Sequence, residues 1–156
     1  MRLVALGLAL VLSGCGYGFA AGVGRLPPGA EHVFVRPLED HTTDAELGGL
    51  VAAALRGELA RRGADGGPGG RARIEGAVEE STFGPSSPNG STWRAVLVVS
   101  ARLVIDGTVA RESRARREED WLAGQDPLES EGRRRLALRR AAAAIARDVV
   151  ERFENP

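Results

Sequence analysis

The sequence predicts an α+β fold. We expect a single domain of order β-α-β-β-β-α, with a four-stranded, mostly antiparallel sheet and two helices packed on one face. Three observations predict it. Residues 92–106 alternate, with Trp93, Ala95, Leu97, Val99, Ala101, Leu103 and Ile105 on one face, and end in Asp106-Gly107, a two-residue hairpin signal. Thr43-Asp44-Ala45-Glu46 matches a capping box and opens a run of apolar residues at helical spacing. The C-terminal stretch 128–153 carries a second apolar stripe of Leu138, Ala142, Ile145, Val149 and Phe153. A single sheet with both helices on one of its faces is the economical way to bury these stripes.

Composition narrows the class. The 156 residues are 43% hydrophobic but only 4% aromatic, so the core must be aliphatic. The 21 basic residues, all arginine, balance 21 acidic ones, so long-range attraction to nucleic acid is not implied. One cysteine, Cys15, excludes an internal disulfide and a cysteine-based metal site.

The chain opens with Met1-Arg2 and an unbroken apolar run from Leu3 to Leu12. Ten helical residues span about 15 Å, half of a bilayer's hydrocarbon thickness, so the run predicts a signal-peptide core rather than a membrane span. Leu12-Ser13-Gly14-Cys15 follows and resembles the bacterial lipobox. Small residues admit the backbone to a peptidase, and the thiol takes a diacylglyceryl group. Residues 1–14 are therefore expected to be removed and Cys15 to carry covalent lipid, an anchor made stable by more than one acyl chain. Gly16 in the next position, by analogy with lipoprotein sorting in enterobacteria, favours the outer membrane.

Residues 15–29, Gly/Ala-rich and containing Pro27-Pro28, predict a tether, and residues 30–156 the folded domain. His32 to Leu38 predicts a short strand with Pro37 at its end or on an edge. The first helix is expected with Thr43 as N-cap, Leu47, Leu50, Val51, Ala54, Leu55 and Leu59 inward, and Gly63 just past its end. Ala72 to Glu80 alternates as a strand, and the turn-rich stretch 84–91 leads to the long strand. The return strand, Val109 to about Glu119, is so polar that its outer face must meet water or a polar partner. Gly124 to Pro127 links it to the second helix.

No catalytic constellation is present in the sequence. His32 and His41 flank the first strand without a partner pattern, and there is no P-loop, HExxH or dinucleotide fingerprint. We therefore expect a binding or assembly module, not an enzyme, with no metal and no cofactor beyond the lipid on Cys15.

Cys15-Gly16-Tyr17-Gly18-Phe19 resembles the start of the LPS-assembly lipoprotein LptE family. Leu26-Pro27-Pro28, the strand Val33 to Asp40, Thr42-Thr43 before the helix, Ile74-Glu75-Gly76, Asp106-Gly107 and the C-terminal helix extend the resemblance over nearly the whole mature chain. The chain departs from the family pattern at His41, where an asparagine is usual, and in the polar stretch between Val109 and Asp120. The resemblance implies a lipid-anchored protein on the periplasmic face of the outer membrane. It implies a partner too, an LptD-type β-barrel that the protein plugs and helps to assemble, and contact with lipopolysaccharide. Lipopolysaccharide carries phosphates, which arginine binds bidentately. Arg94 and Arg102 on the long strand and Arg111, Arg114, Arg116 and Arg117 on its hairpin partner are the candidate phosphate contacts. The alternative is a non-catalytic envelope lipoprotein serving another export or secretion complex.

Overall fold

The computed structural model describes residues 25–44 and 46–155. The expected signal peptide and lipidated Cys15 lie outside the described residues. The elements run β1 (Val33–Val35), β2 (Glu39–Asp40), α1 (Leu47–Arg61), β3 (Ala72–Pro85), β4 (Thr92–Ile105), β5 (Thr108–Leu122) and α2 (Pro127–Glu154). The sheet has the order β1-β3-β4-β5, with β2 also on β3. β1 and β2 run parallel to β3, and β3, β4 and β5 form an antiparallel meander. The predicted fold class is the observed one. β1 and β2 are one edge strand interrupted at Arg36-Pro37-Leu38, where proline removes a ladder donor.

The hairpin turn has the backbone its residues require. Asp106 and Gly107 take φ values of 50° and 83°, the left-handed region that an Asp-Gly pair tolerates in a two-residue loop. On β4, Ala95, Leu97, Val99, Ala101 and Leu103 are buried, which is the face the alternation predicts. They meet Leu47, Val51, Leu55 and Leu59 of α1 and Leu138, Ala142, Ile145, Val149 and Phe153 of α2. Among the described residues the buried core runs from Ala30 to Phe153. Each fully buried Val, Leu, Ile or Phe side chain stabilises the fold by about 1.5–3 kcal/mol.

A register irregularity sets which β3 side chains face the helices. A bulge at Glu79 shifts the β3–β4 register, so that Val78 opposes Val99 but Glu80 opposes Val98. The extra residue inverts parity, and Ser81 and Phe83 then turn toward the helices. Gly76 is fixed by proximity: a Cβ there would stand 2.1 Å from the Ser100 carbonyl oxygen.

The start of α1 corrects one expectation. Thr43 is not its N-cap; the helix begins at Leu47 without a side-chain cap at Glu46. Asp40 on β2 supplies the acceptor instead. Its Oδ2 accepts from the Gly48 backbone N–H at 2.9 Å, and its Oδ1 accepts from the Thr42 N–H at 3.0 Å and hydroxyl at 2.7 Å. Burial pushes the Asp40 carboxyl up, but these bonds outweigh it and hold the group below the usual aspartate range. α2 caps itself: Asp126 Oδ1 accepts from the Glu129 N–H at 2.8 Å.

The helices are joined at their C-termini by a buried charge cluster. Arg62 Nε donates to Glu58 at 2.7 Å and Arg62 Nη1 to Glu154 at 2.5 Å. The two carboxylate side chains are only 6% and 4% exposed.

Candidate functional site

The six candidate arginines do not form one surface. β4 and β5 pair residue by residue, and directly opposed residues share a face. Arg94, Arg102, Arg114 and Arg116 lie on the sheet face away from the helices. Arg111 opposes Leu103 and Arg117 opposes Leu97, both core residues, so these two arginines point to the helix side.

Acidic neighbours balance most of this charge. Arg94 grips Asp120, its directly opposed neighbour, through Nε at 2.8 Å and Nη2 at 3.0 Å, and reaches Glu118 at 3.3 Å. That bidentate bond holds the Asp120 carboxyl below its usual range. Arg114 bonds Glu79 at 2.7 Å and lowers its pKa in the same way. Arg116 bonds Glu118, and Arg117 bonds Asp148 on α2. Arg102 makes no ion pair among the described residues; its strand neighbours are Glu75 and Glu112. Arg111 donates to the Ala110 carbonyl at 2.9 Å, and its Nε is buried without a partner. Val98 and Val104 lie between these long side chains on the same outer face, nearly inaccessible. The arginine and glutamate stems cover them, leaving their charged ends outward.

The free edge of β5 is closed by the same residue type. The carbonyls of Ala110, Arg114 and Leu122 accept from Arg111, Arg152 and Arg133. Their even spacing puts them on one side of the strand, the side without a neighbour. Charged caps of this kind block addition of another strand.

The histidines show no catalytic setting. His41 lies 3.3 Å from Glu39, both groups exposed, and His32 is exposed. Among the described residues no group of three or more His, Cys, Asp or Glu could hold a metal ion.

A second feature was not foreseen. At the pole where β3 and β5 end and α2 begins, Phe83, Trp93 and Trp121 gather. Phe83 and Trp121 meet edge to face with centroids 6.4 Å apart, and Trp93 and Trp121 lie tilted at 6.2 Å. The Arg134 guanidinium stands 4.9 Å from the Phe83 centroid. Arg134 also bonds Glu131 and Asp44, each at 2.8 Å, and these bonds push its pKa further up against the opposing effect of burial. With Ala123 and Pro127 these side chains line a groove of about 610 Å³. Leu122 and Leu128 stand exposed in the same segment. The chain has only four Phe, two Trp and one Tyr, so both tryptophans and three of its seven rings sit here. The signal was available: Trp93 and Trp121 pair across β4 and β5, but placing Phe83 beside them requires the bulge.

The opposite pole holds the start of the described chain. Arg25, Leu26 and Pro27 border a second groove with Arg62, Arg111 and Glu154, and Leu26 packs on the core. The last residues of the expected tether are thus seated on the domain. β4, with 14 residues, separates the poles by about 45 Å at the usual strand rise.

Comparison with known proteins supplies the family. The LptE lipopolysaccharide-assembly family model matches residues 30–153. No curated protein sequence matches the chain. Among solved structures, a putative lipoprotein from Caulobacter crescentus is similar with a TM-score of 0.64 and 18% identity, over 86% of this chain and 94% of that one. A PelC dodecamer subunit from Paraburkholderia phytofirmans is similar with a TM-score of 0.57 and 18% identity, over 81% of this chain and 89% of that one. At such identities the likeness concerns the fold, whereas the family match spans the folded domain from its first core residue, Ala30, to its last, Phe153. The chain belongs to the LptE lipopolysaccharide-assembly family.

Proposed function

We propose that this protein is an outer-membrane lipoprotein, anchored through Cys15 on the periplasmic face, that plugs an LptD-type β-barrel and assists its assembly. In this role it helps deliver lipopolysaccharide to the cell surface. The observation that carries the reading is the family match over residues 30–153, with the lipobox preceding it in the sequence. The surface suits the role. A barrel lumen is polar, and this sheet face offers it ion pairs within and between strands rather than apolar area. Phosphate recognition falls to Arg94, Arg102, Arg111, Arg114, Arg116 and Arg117. Among the described residues Arg102 and Arg111 have no carboxylate partner to release first.

Affinity purification of the full chain from its native envelope tests the reading. Recovery of a large β-barrel in stoichiometric amount is the expected result; its absence overturns it. A second reading is service in another export or secretion complex, favoured by the fold likeness to the PelC dodecamer. Recovery of an inner-membrane machine in place of a barrel would establish it.

A further inference from the structure

We propose that the aromatic groove between the end of the sheet and the start of α2 is a binding site for the hydrocarbon chain of an acylated amphiphile. The groove is concave and about 610 Å³, within the ~300–1,000 Å³ range of small-molecule sites. Two indoles, the Phe83 ring, Ala123 and Pro127 make most of its wall, and Ser130, Glu131 and Arg134 of α2 complete it.

Charge decides the occupant. The one cation in the wall, Arg134, is already engaged by Glu131 and Asp44 and lies over the Phe83 ring. Glu131 and Asp44 already balance its charge and repel an anionic headgroup, so the part of the ligand inside the groove is neutral. An apolar chain meets that condition and leaves its headgroup at the open mouth. Rings at 6.2 and 6.4 Å, tilted and edge-on rather than stacked, expose faces and edges to a slender guest.

The groove also lies at the pole remote from Arg25, about 45 Å along the strands from where the anchored segment enters the domain. A chain entering it arrives with a lipid in transit rather than from the bilayer that holds the anchor. That source rests on the proposed function; occupancy of the groove does not.

Both tryptophans line the groove, so intrinsic fluorescence reports on it alone. The segment from Arg25 to the C-terminus, which contains every described core residue, is first shown to melt cooperatively and is then titrated with lysophosphatidylcholine carrying a dibrominated stearoyl chain, below its micelle concentration. We expect saturable quenching of more than half the emission. Unbrominated lysophosphatidylcholine and intact lipopolysaccharide, each added as competitor, separate the two sources of the chain, and the stronger competitor is the physiological one. Deacylated lipopolysaccharide should not compete. Ala123→Glu, at an exposed position, places a carboxylate on the wall and should weaken binding at least tenfold with an unchanged circular-dichroism spectrum. No quenching, or equal quenching of A123E, overturns the site.

A second arm uses the full chain in its native envelope with p-benzoylphenylalanine at position 123. A photo-adduct with the mass of an acylated lipid supports the proposal. A protein adduct, a dimer of this chain or no adduct overturns it. Loss of barrel recovery with lipid adducts intact would refute the proposed function and leave the groove's role standing.

Discussion

Replacing Arg62 with alanine perturbs a place where two nearly inaccessible carboxylates share a cation. Arg62 bonds Glu58 at 2.7 Å and Glu154 at 2.5 Å, and those side chains are 6% and 4% exposed. Breaking a buried pair from one side costs about 3–5 kcal/mol, because the partner charge remains desolvated. Glu58 retains Arg61, which is itself exposed, so we take the lower end, about 3 kcal/mol. For a chain of this size that corresponds to a melting temperature lower by about 6–12 °C. The pH dependence supplies a sharper test. In the native protein burial pushes the Glu58 carboxyl up, but the bonds from Arg62 and Arg61 outweigh it and hold it below the glutamate value of 4.5. Its stabilising contribution is therefore complete above the unfolded-state value and is lost as pH falls through the lowered native value. Without Arg62 burial acts on Glu58 with less opposition, and protonation relieves the variant. The gap between native protein and variant should shrink as pH drops from 7.5 to 4. Urea denaturation across that range measures it. A loss below 1 kcal/mol, or a gap constant with pH, would refute the reasoning.

Other perturbations have equally defined outcomes. Gly76→Ala should cost about 3 kcal/mol, the upper end for over-packing, because the added carbon meets a backbone carbonyl that cannot swing away; thermal unfolding reads it. Asp40→Ala removes the acceptor for the Gly48 N–H and should cost about 1–2 kcal/mol at pH 7, as for a lost N-cap. Since the native Asp40 pKa is lowered, that difference should fade as pH drops through the aspartate range, which urea titrations at pH 7 and pH 3 would show. Phe153→Ala should cost about 3–5 kcal/mol, the largest single loss among core truncations in α2. Arg94→Ala should change stability by less than about 1 kcal/mol, since the pair with Asp120 is half exposed.

Much of the architecture was legible because it rests on period and turn chemistry. The alternation of β4 gave its inward face correctly, and Asp106-Gly107 adopted the backbone its residues favour. The apolar stripe of α2 is buried at every expected position. What escaped has a physical cause in each case. A bulge is a register event between two strands, so the turn of Phe83 toward the helices is invisible in β3 alone. The helix cap comes from Asp40, eight residues before Gly48, because β2 carries that carboxylate to the helix start; the local capping-box pattern competes with this and loses. The face of β5 is not written in its own residues. Its run of arginine and glutamate has no apolar alternation, and only the pairing with β4 turns Arg111 and Arg117 toward the helices. Both tryptophans were in view, but a groove is a property of three converging elements.

The most direct test of the account is controlled depletion of the protein in its native cells, with newly made lipopolysaccharide followed to the cell surface by pulse labelling and surface-specific modification. The account predicts that surface arrival falls as the protein is depleted and is restored by the native chain but not by Cys15→Ala. Unchanged arrival in depleted cells would contradict it.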